Sequence, residues 1–452
     1  MPDPAPFLAA VCASPDDDLP RLVFADWLDE HGDPARAEFI RLQCHTARVG
    51  KLDPTWAPAK LREFDLFKAN EPAWRTPTAS QEGRMLMDRW VRGFPRAVML
   101  SDVARGRVTS GEWANGVYDW TANPNERYDP WPAGPVRDVS FSGWDDECGD
   151  LLWHPQLRTV RSLSLTEWYA GVSTRRVETF VTALSLLPPG HFPELTSLDF
   201  GGELTLNALE TLAESAVVES LTELSLRFPD DVPLSEAHDW YVAARQLFAA
   251  IAPRLESLTL EETPDVIVMA LYPADWSRLT RFGMSSADSG KVVILTQTHM
   301  PKLERLRVWP AYSNSLVWTE ANVRQFARWL SAGVLKELTP TGLTTGLLRD
   351  LLVRLNTPEL ASLSVFGECR LSAADLAEHD AFRGLKNLKG PFTNADLAAL
   401  ADPDVLPELH TVWSGDTEPL TGLRWRGGVR TVIPKDPPNG WRDRPSRGSW
   451  FG

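Results

Sequence analysis

Four side chains suited to recognising another molecule lie in two short segments of the sequence. Arg281 is followed by Arg305, Arg307 and Trp309, and the last three occupy alternate positions. Alternate residues of a β-strand face the same side, so these three share one face if the segment is a strand. Arginine binds carboxylates through paired hydrogen bonds, and arginine and tryptophan dominate many protein interfaces. The spacing therefore predicts a site for carboxylates of an acidic partner.

The sequence contains none of the common motifs of catalysis. GxxxxGK[ST], GxGxxG, HExxH, GxSxG and a CxxC pair are all absent. The cysteines and histidines near the amino terminus lack the spacing of a zinc site; they are Cys12, His31, Cys44 and His45. The aspartates at 16–18 lack the alternating ligands and the later glutamate of a calcium loop. We therefore expect no catalytic residue, no metal ion and no cofactor.

The arginines lie in copies of a short motif that occurs about a dozen times. Its form is apolar-x-x-apolar-x-apolar, as in the segment LERLRV at 303–308. Most copies start 24 to 26 residues apart, and a fixed period of this size indicates stacked repeats. The copies start at Val136, Val160, Leu195, Leu221, Leu255, Leu279, Leu303, Leu335, Leu360, Leu385, Leu409 and Val429.

Each copy predicts a strand followed by a helix. In the strand, Leu306 and Val308 face the core while Arg307 faces the opposite side. Between the strands, apolar residues follow the helical period, as at Val323 and Phe326. One such unit cannot bury its apolar face alone, so successive units must stack. An ordinary α/β domain with leucine-rich parallel strands is the alternative.

The strand half of the motif resembles the leucine-rich repeat family. The asparagine or cysteine usual in that family three places later is missing, and Thr263 and Ala311 are among its replacements. The resemblance implies an α/β fold, a leucine-rich-repeat solenoid of the ribonuclease-inhibitor type. In such a curved horseshoe, the parallel strands line the concave face and the helices lie outside. The predicted partner-binding residues on that face are Arg281, Arg305, Arg307, Trp309, Glu337 and Phe366.

The same residues allow a simpler interpretation. Concave strand faces need polar residues for solubility, and the arginines could merely balance the charge of Glu261 and Glu337. We therefore keep several functional hypotheses. The first is a non-enzymatic scaffold that binds a protein partner on the concave face. The alternatives are a regulatory subunit or enzyme whose site is not visible in the sequence, and nucleic-acid binding through the arginines and a basic tail at 434–452.

The N-terminal 48 residues predict a separate helical module. Helices are expected at 6–12, at 19–30 and from Pro34 onward. The apolar face of the second helix is predicted to carry Leu19, Leu22, Val23 and Trp27, with Arg21, Asp29 and Glu30 off it. Residues 7–43 resemble the bacterial repeat-companion domain, through RLVFADWL at 21–28, GDP at 32–34 and EFIRLQ at 38–43. That resemblance implies a position before repeats and no established activity. Asp26 and Arg41 are candidates for a local ion pair, and a recognition surface is the functional alternative.

Composition bounds the remaining expectations. The net charge of −15 disfavours nucleic acid and anionic membranes as partners. The four cysteines are scattered, and neither a signal sequence nor an apolar run of 18 residues is present, so we expect a cytoplasmic protein with no membrane association. We also expect a monomer. After the module we expect a connection at 49–95, which contains a helix at 60–69. An entry strand at 92–100 then leads into the repeats at 96–433, and a flexible tail follows at 434–452.

Overall fold

The computed structural model forms two compact units, Met1–Val172 with Pro188–Leu195 and Ser173–Leu187 with Thr196–Gly452. Trp309, Phe366 and the predicted tail from residue 435 onward lie outside the residues that the structure describes. The described residues are 3–49, 53–74, 85–91, 94–100, 137–142, 144, 152–153, 155–166, 174–229, 231–285, 289–308, 318–340, 343–355, 357, 359–365, 371–379, 382–390, 392–400, 402, 404–414, 424–425, 428–429 and 431–434.

The first unit begins with helices and continues into strands. The helices are α1 (Ala5–Ala13), α2 (Asp18–Glu30), α3 (Pro34–Val49) and α4 (Trp56–Trp74), and the strands are β1 (Met85–Val91), β2 (Phe94–Leu100), β3 (Asp138–Ser142) and β4 (Ser162–Thr166). Strands β1 and β2 are antiparallel, while β2, β3 and β4 are parallel neighbours. Helices lie at the predicted positions, and β2 confirms the predicted entry strand over 94–100, while its first two residues, 92 and 93, lie outside the described residues. Strand β1 was not predicted.

Helix α2 corrects one prediction about the N-terminal module. Leu19 and Val23, expected on the apolar face, are 64% and 45% exposed, whereas Arg21 is only 3% exposed. The side that packs inward carries Phe24, Ala25 and Leu28. Arg21 can be buried because its guanidinium donates to the Asp17 carbonyl at 2.7 Å and lies over the Phe94 ring. Leu22 and Trp27 of the predicted face do pack against this core, so the prediction is wrong for Leu19, Val23 and Arg21 only.

Polar and aromatic contacts join these helices to the strands of the first unit. The Phe24 ring is 5.8 Å from that of Phe94, in β2. Asp16, in the turn before α2, forms an ion pair with Arg161 at 2.7 Å. Arg137 pairs with Glu194 at 2.8 Å and is almost completely buried. The helical segment is thus packed on the strands that follow it.

We expect Arg21→Met to destabilise the first unit by about 2 kcal/mol, because a buried carbonyl acceptor and the contact with the ring lose their partner. Chemical unfolding monitored through tryptophan fluorescence measures this loss. Arg41→Met is the matched control, since Arg41 forms exposed ion pairs with Asp26 and Asp29, each at 2.6 Å. Exposed pairs contribute about 0–1 kcal/mol. Equal losses in the two variants would contradict a special role for Arg21.

The second unit alternates strands and helices. Its parallel strands are β5 (Ser197–Glu203), β6 (Glu223–Arg227), β7 (Ser257–Glu261), β8 (Arg281–Met284), β9 (Arg305–Val308), β10 (Glu337–Pro340), β11 (Ser362–Ser364), β12 (Asn387–Gly390), β13 (Thr411–Ser414) and β16 (Thr431–Pro434). Short strands β14 (Arg424–Trp425) and β15 (Gly428–Val429) pair with each other. The helices are α5 (Thr174–Ser185), α6 (Leu206–Glu214), α7 (Ala237–Ile251), α8 (Asp265–Leu271), α9 (Ser289–Leu295), α10 (Glu320–Leu330), α11 (Thr345–Arg354), α12 (Ala373–Ala377) and α13 (Asn394–Leu400).

The buried core follows the repeat motif. The apolar positions of successive copies are buried, as at Leu303, Leu306 and Val308, and equivalent residues lie side by side in register. Helix α10 buries the predicted residues Val323 and Phe326. Each strand and its helix therefore stack on the next pair, which confirms the leucine-rich-repeat solenoid of α/β class. Within the described residues, the helices are either too short or too polar to cross a membrane.

Candidate partner-binding face of the strands

The predicted binding residues lie in two rows across the second unit. One row contains the first residue of each strand, and it places Arg281 beside Arg305 and Arg305 beside Glu337. The other row lies two residues further along and contains Arg307. The leucines between these rows face the core, so the two rows share the opposite side of the sheet. We call this side, on β5–β10, the strand face.

Two ion pairs organise the first row. Arg281 reaches past Ser257 of β7 and pairs with Glu223 of β6, and Arg305 pairs with Glu337 of β10 at 3.2 Å. The side chain of Arg281 is 23% exposed and that of Arg305 is 38% exposed. The structure thus places Arg281, Arg305 and Glu337 on neighbouring strands. Glutamates pair with both arginines; one of them, Glu337, was named in the simpler interpretation, whereas the other is Glu223 instead of Glu261.

Arg307 occupies a less exposed place in the second row. Burial lowers the pKa of its guanidinium to about 10, and the charge of Glu261 opposes this shift. Glycine at the neighbouring position of β8, Gly283, has no side chain beyond Cα and lies between Arg307 and Thr259 in the register. Arg307 is still protonated at neutral pH because its lowered pKa remains well above 7. It contributes a positive charge held close to the sheet.

Asp199 of β5 is a buried carboxylic acid in the same row. Burial raises its pKa to about 7, the charge of Glu261 adds to this increase, and the hydroxyl group of Ser225 on the neighbouring strand opposes it. Asp199 is 5% exposed and Glu261 is 9% exposed. These two carboxyl groups therefore have little contact with solvent. When ionised, they influence the strand face through their negative charge.

In the motif copy LTSLDF at 195–200, Asp199 occupies the outward position between two apolar residues, and this position alone does not predict its burial. Alignment of the motif copies does contain a sign that Asp199 is buried. The positions equivalent to Asp199 on the next three strands are Ser225, Thr259 and Gly283, all small and uncharged. An acid among small neighbours is easily buried. The pairing of Glu223 with Arg281 was also missed, because it skips one strand.

The arrangement is suited to recognition through charge and hydrogen bonds. Both signs of charge are present, and Glu223, Arg305 and Glu337 each keep about a third of the side chain exposed. Among the residues that the structure describes, no three His, Cys, Asp or Glu side chains are grouped so that they could hold a metal ion. Trp309 and Phe366 lie outside the described residues, so their place on the strand face remains a prediction.

Comparisons with known proteins give weak similarities. No family model and no curated protein match the chain. A solved structure of the Rad7 and Elc1 complex in yeast is 15% identical, with a TM-score of 0.34, and the match covers 66% of this chain and 80% of the other. The TLR13–ssRNA13 complex is 15% identical, with a TM-score of 0.31, and covers 63% of this chain and 40% of the other.

An internalin from Listeria monocytogenes is 11% identical, with a TM-score of 0.25, and the match covers 62% of this chain and 66% of that one. The chain therefore spans only two fifths of the matched TLR13 chain and about two thirds of the internalin. The assignment of the chain to the leucine-rich-repeat fold rests on its own repeating strands, helices and buried leucines.

Proposed function

We propose that the chain is a non-enzymatic scaffold that binds a protein partner on the strand face. The observation that carries this proposal is the set of partly exposed charged side chains, Glu223, Arg281, Arg305 and Glu337, aligned on adjacent and next-adjacent strands. Parallel strands hold these groups at fixed spacing, so little conformational entropy is lost when a partner binds. A cytoplasmic location, a monomeric state and the repeat-companion identity of residues 7–43 remain predictions.

A protein partner fits this surface better than a nucleic acid does. The arginines of the strand face are accompanied by glutamates, and the whole chain carries a net charge of −15. Nucleic-acid affinity depends on a positive field that releases counterions from phosphates. A protein surface can instead supply both signs of charge, and charge-assisted hydrogen bonds would then fix its orientation.

The experiment is capture from a lysate of the source cell with the immobilised full chain. We expect Arg281→Glu combined with Arg305→Glu to lose the captured protein, because each new glutamate faces an existing glutamate and repels acidic groups of the partner. Affinity of the identified, purified protein should fall at least tenfold, since close charge pairs at interfaces contribute about 1.5 kcal/mol or more.

A matched control separates this effect from a change in overall charge. Arg324→Glu combined with Arg354→Glu also removes two ion pairs, those with Glu320 and Asp350, and changes the net charge equally. Both control positions lie on helices, α10 and α11. The control should bind as the wild type does. Equal binding by the wild type and the strand-face variant, with both folded, would refute the proposed function.

A further inference from the structure

Charges on the strand face are separated by sign across the sheet. Among the described residues of the two rows and of the next row along, β5–β7 carry Asp199, Glu203, Glu223, Arg227 and Glu261. Four acids and one arginine give these three strands a formal charge of −3 when Asp199, whose pKa is about 7, is ionised, and of −2 when it is protonated. Strands β8 and β9 carry Arg281, Arg305 and Arg307, which gives +3. The face therefore has an acidic side and a basic side.

The ion pairs preserve this separation of charge. Glu223, on the acidic side, forms an ion pair with Arg281, on the basic side. The pair partly neutralises both charges without changing the sign of either side. Arg307 and Glu261 influence each other across the same boundary. At the other limit of the basic side, Arg305 pairs with Glu337. At the amino-terminal ends of β9 and β10, Glu304 and Lys336 pair at 2.7 Å and add no net charge.

We propose that the strand face, in the scaffold function proposed above, selects a protein surface of opposite charge order. Such a partner places basic groups over β5–β7 and carboxylates over β8 and β9. Like charges placed opposite each other at an interface cost several kcal/mol, so the reversed docking orientation is disfavoured. The separation of charge thus fixes which way the partner lies across the strands as well as which partner binds.

The test exchanges the two members of one ion pair. Glu223→Arg combined with Arg281→Glu keeps the ion pair, the amino-acid composition and the net charge of the chain. It reduces the charges of the two sides from −3 and +3 to −1 and +1. The matched control is Glu320→Arg combined with Arg324→Glu, an exchanged pair on the helix α10. The probe is the protein captured by the wild type, identified by mass spectrometry and purified.

We expect the exchanged pair on the strand face to lower affinity at least tenfold at low salt, and the exchanged pair on α10 to leave affinity unchanged. The difference between the wild type and the exchanged variant should shrink as salt increases, since screening weakens charge order at the surface. Wild-type affinity in the exchanged variant would overturn the inference about charge order. The proposed function would still stand in that case if Arg281→Glu with Arg305→Glu abolished binding.

A second exchange keeps the inference testable if the first variant does not fold. Arg305→Glu combined with Glu337→Arg inverts the pair between β9 and β10 and reduces the charge of β8 and β9 from +3 to +1. It should also lower affinity, in a salt-dependent way. If this exchange and Arg281→Glu with Arg305→Glu both bind like the wild type, the charge order and the proposed function fail together.

Discussion

Asp199→Asn is expected to stabilise the second unit by about 2–4 kcal/mol at pH 8. The folded protein holds this carboxyl group buried beside Glu261, and its pKa is raised from the ordinary value of 3.8 to about 7. Asparagine has nearly the same shape and carries no charge, so the cost of ionising a buried group disappears.

The sign of the pH dependence follows from the raised pKa. Between about pH 4 and pH 7 the folded state retains the proton of Asp199 more strongly than the unfolded chain does. Stability therefore falls as the pH rises through this range, and the full cost is present above pH 7. Asp199→Asn should remove this part of the pH dependence, so the two proteins should differ little near pH 4 and most at pH 8.

Urea unfolding at several pH values measures this difference. Asp239→Asn, at an exposed position on α7, is the control and should leave the pH profile of the wild type nearly unchanged. A destabilised Asp199→Asn variant at pH 8 would show that the carboxylate has stabilising contacts in the fold. The interpretation of Asp199 as an acid whose ionised form is destabilised by burial, and further by the charge of Glu261, would then be wrong.

Phe282→Ala is expected to destabilise the second unit by about 3–5 kcal/mol, because a large side chain leaves a cavity that its neighbours fill only partly. Phe282 is fully buried in β8, between Leu258 of β7 and Leu306 of β9. Each repeat contacts mainly its neighbours. Amide hydrogen exchange should therefore increase most in β7, β8 and β9, of which β8 and β9 carry the arginines of the strand face.

The matched control for this core substitution is Met269→Ala on α8. Met269 is 50% exposed, so its loss removes little buried surface and should change stability by less than about 1 kcal/mol. Urea unfolding and hydrogen exchange measure both variants. If Phe282→Ala loses less than the control, or if exchange increases uniformly along the chain, the packing of neighbouring repeats does not determine local stability.

Strand positions could be predicted from the sequence because their signal is local and repeated. The motif at Leu303 places apolar residues at positions 303, 306 and 308, with alternation along the strand from Arg305, and the structure buries these apolar residues as expected. Helix α10 was equally clear, since Val323 and Phe326 follow the helical period. In these segments the hydrophobic effect determines both the secondary structure and the side that faces inward.

Other features depended on contacts between residues far apart in the sequence. The burial of Arg21 depends on carbonyl acceptors in the preceding turn and on Phe94, which no helical pattern reveals. The partner of Arg281 lies 58 residues earlier, at Glu223. The raised pKa of Asp199 comes mainly from its burial, and the charge of Glu261, on the second strand from its own, adds to it. These charges could be named from the sequence, whereas their pairing required the register of the sheet.

Site-specific photocrosslinking tests the central claim, that a protein partner binds the strand face, most directly. A photoreactive residue at Thr339, an outward position of β10, would be compared with one at Gln246, an exposed position on α7. The account predicts that the captured protein crosslinks at Thr339 and not at Gln246. Crosslinking at Gln246 alone would place the partner on the helices and contradict the account.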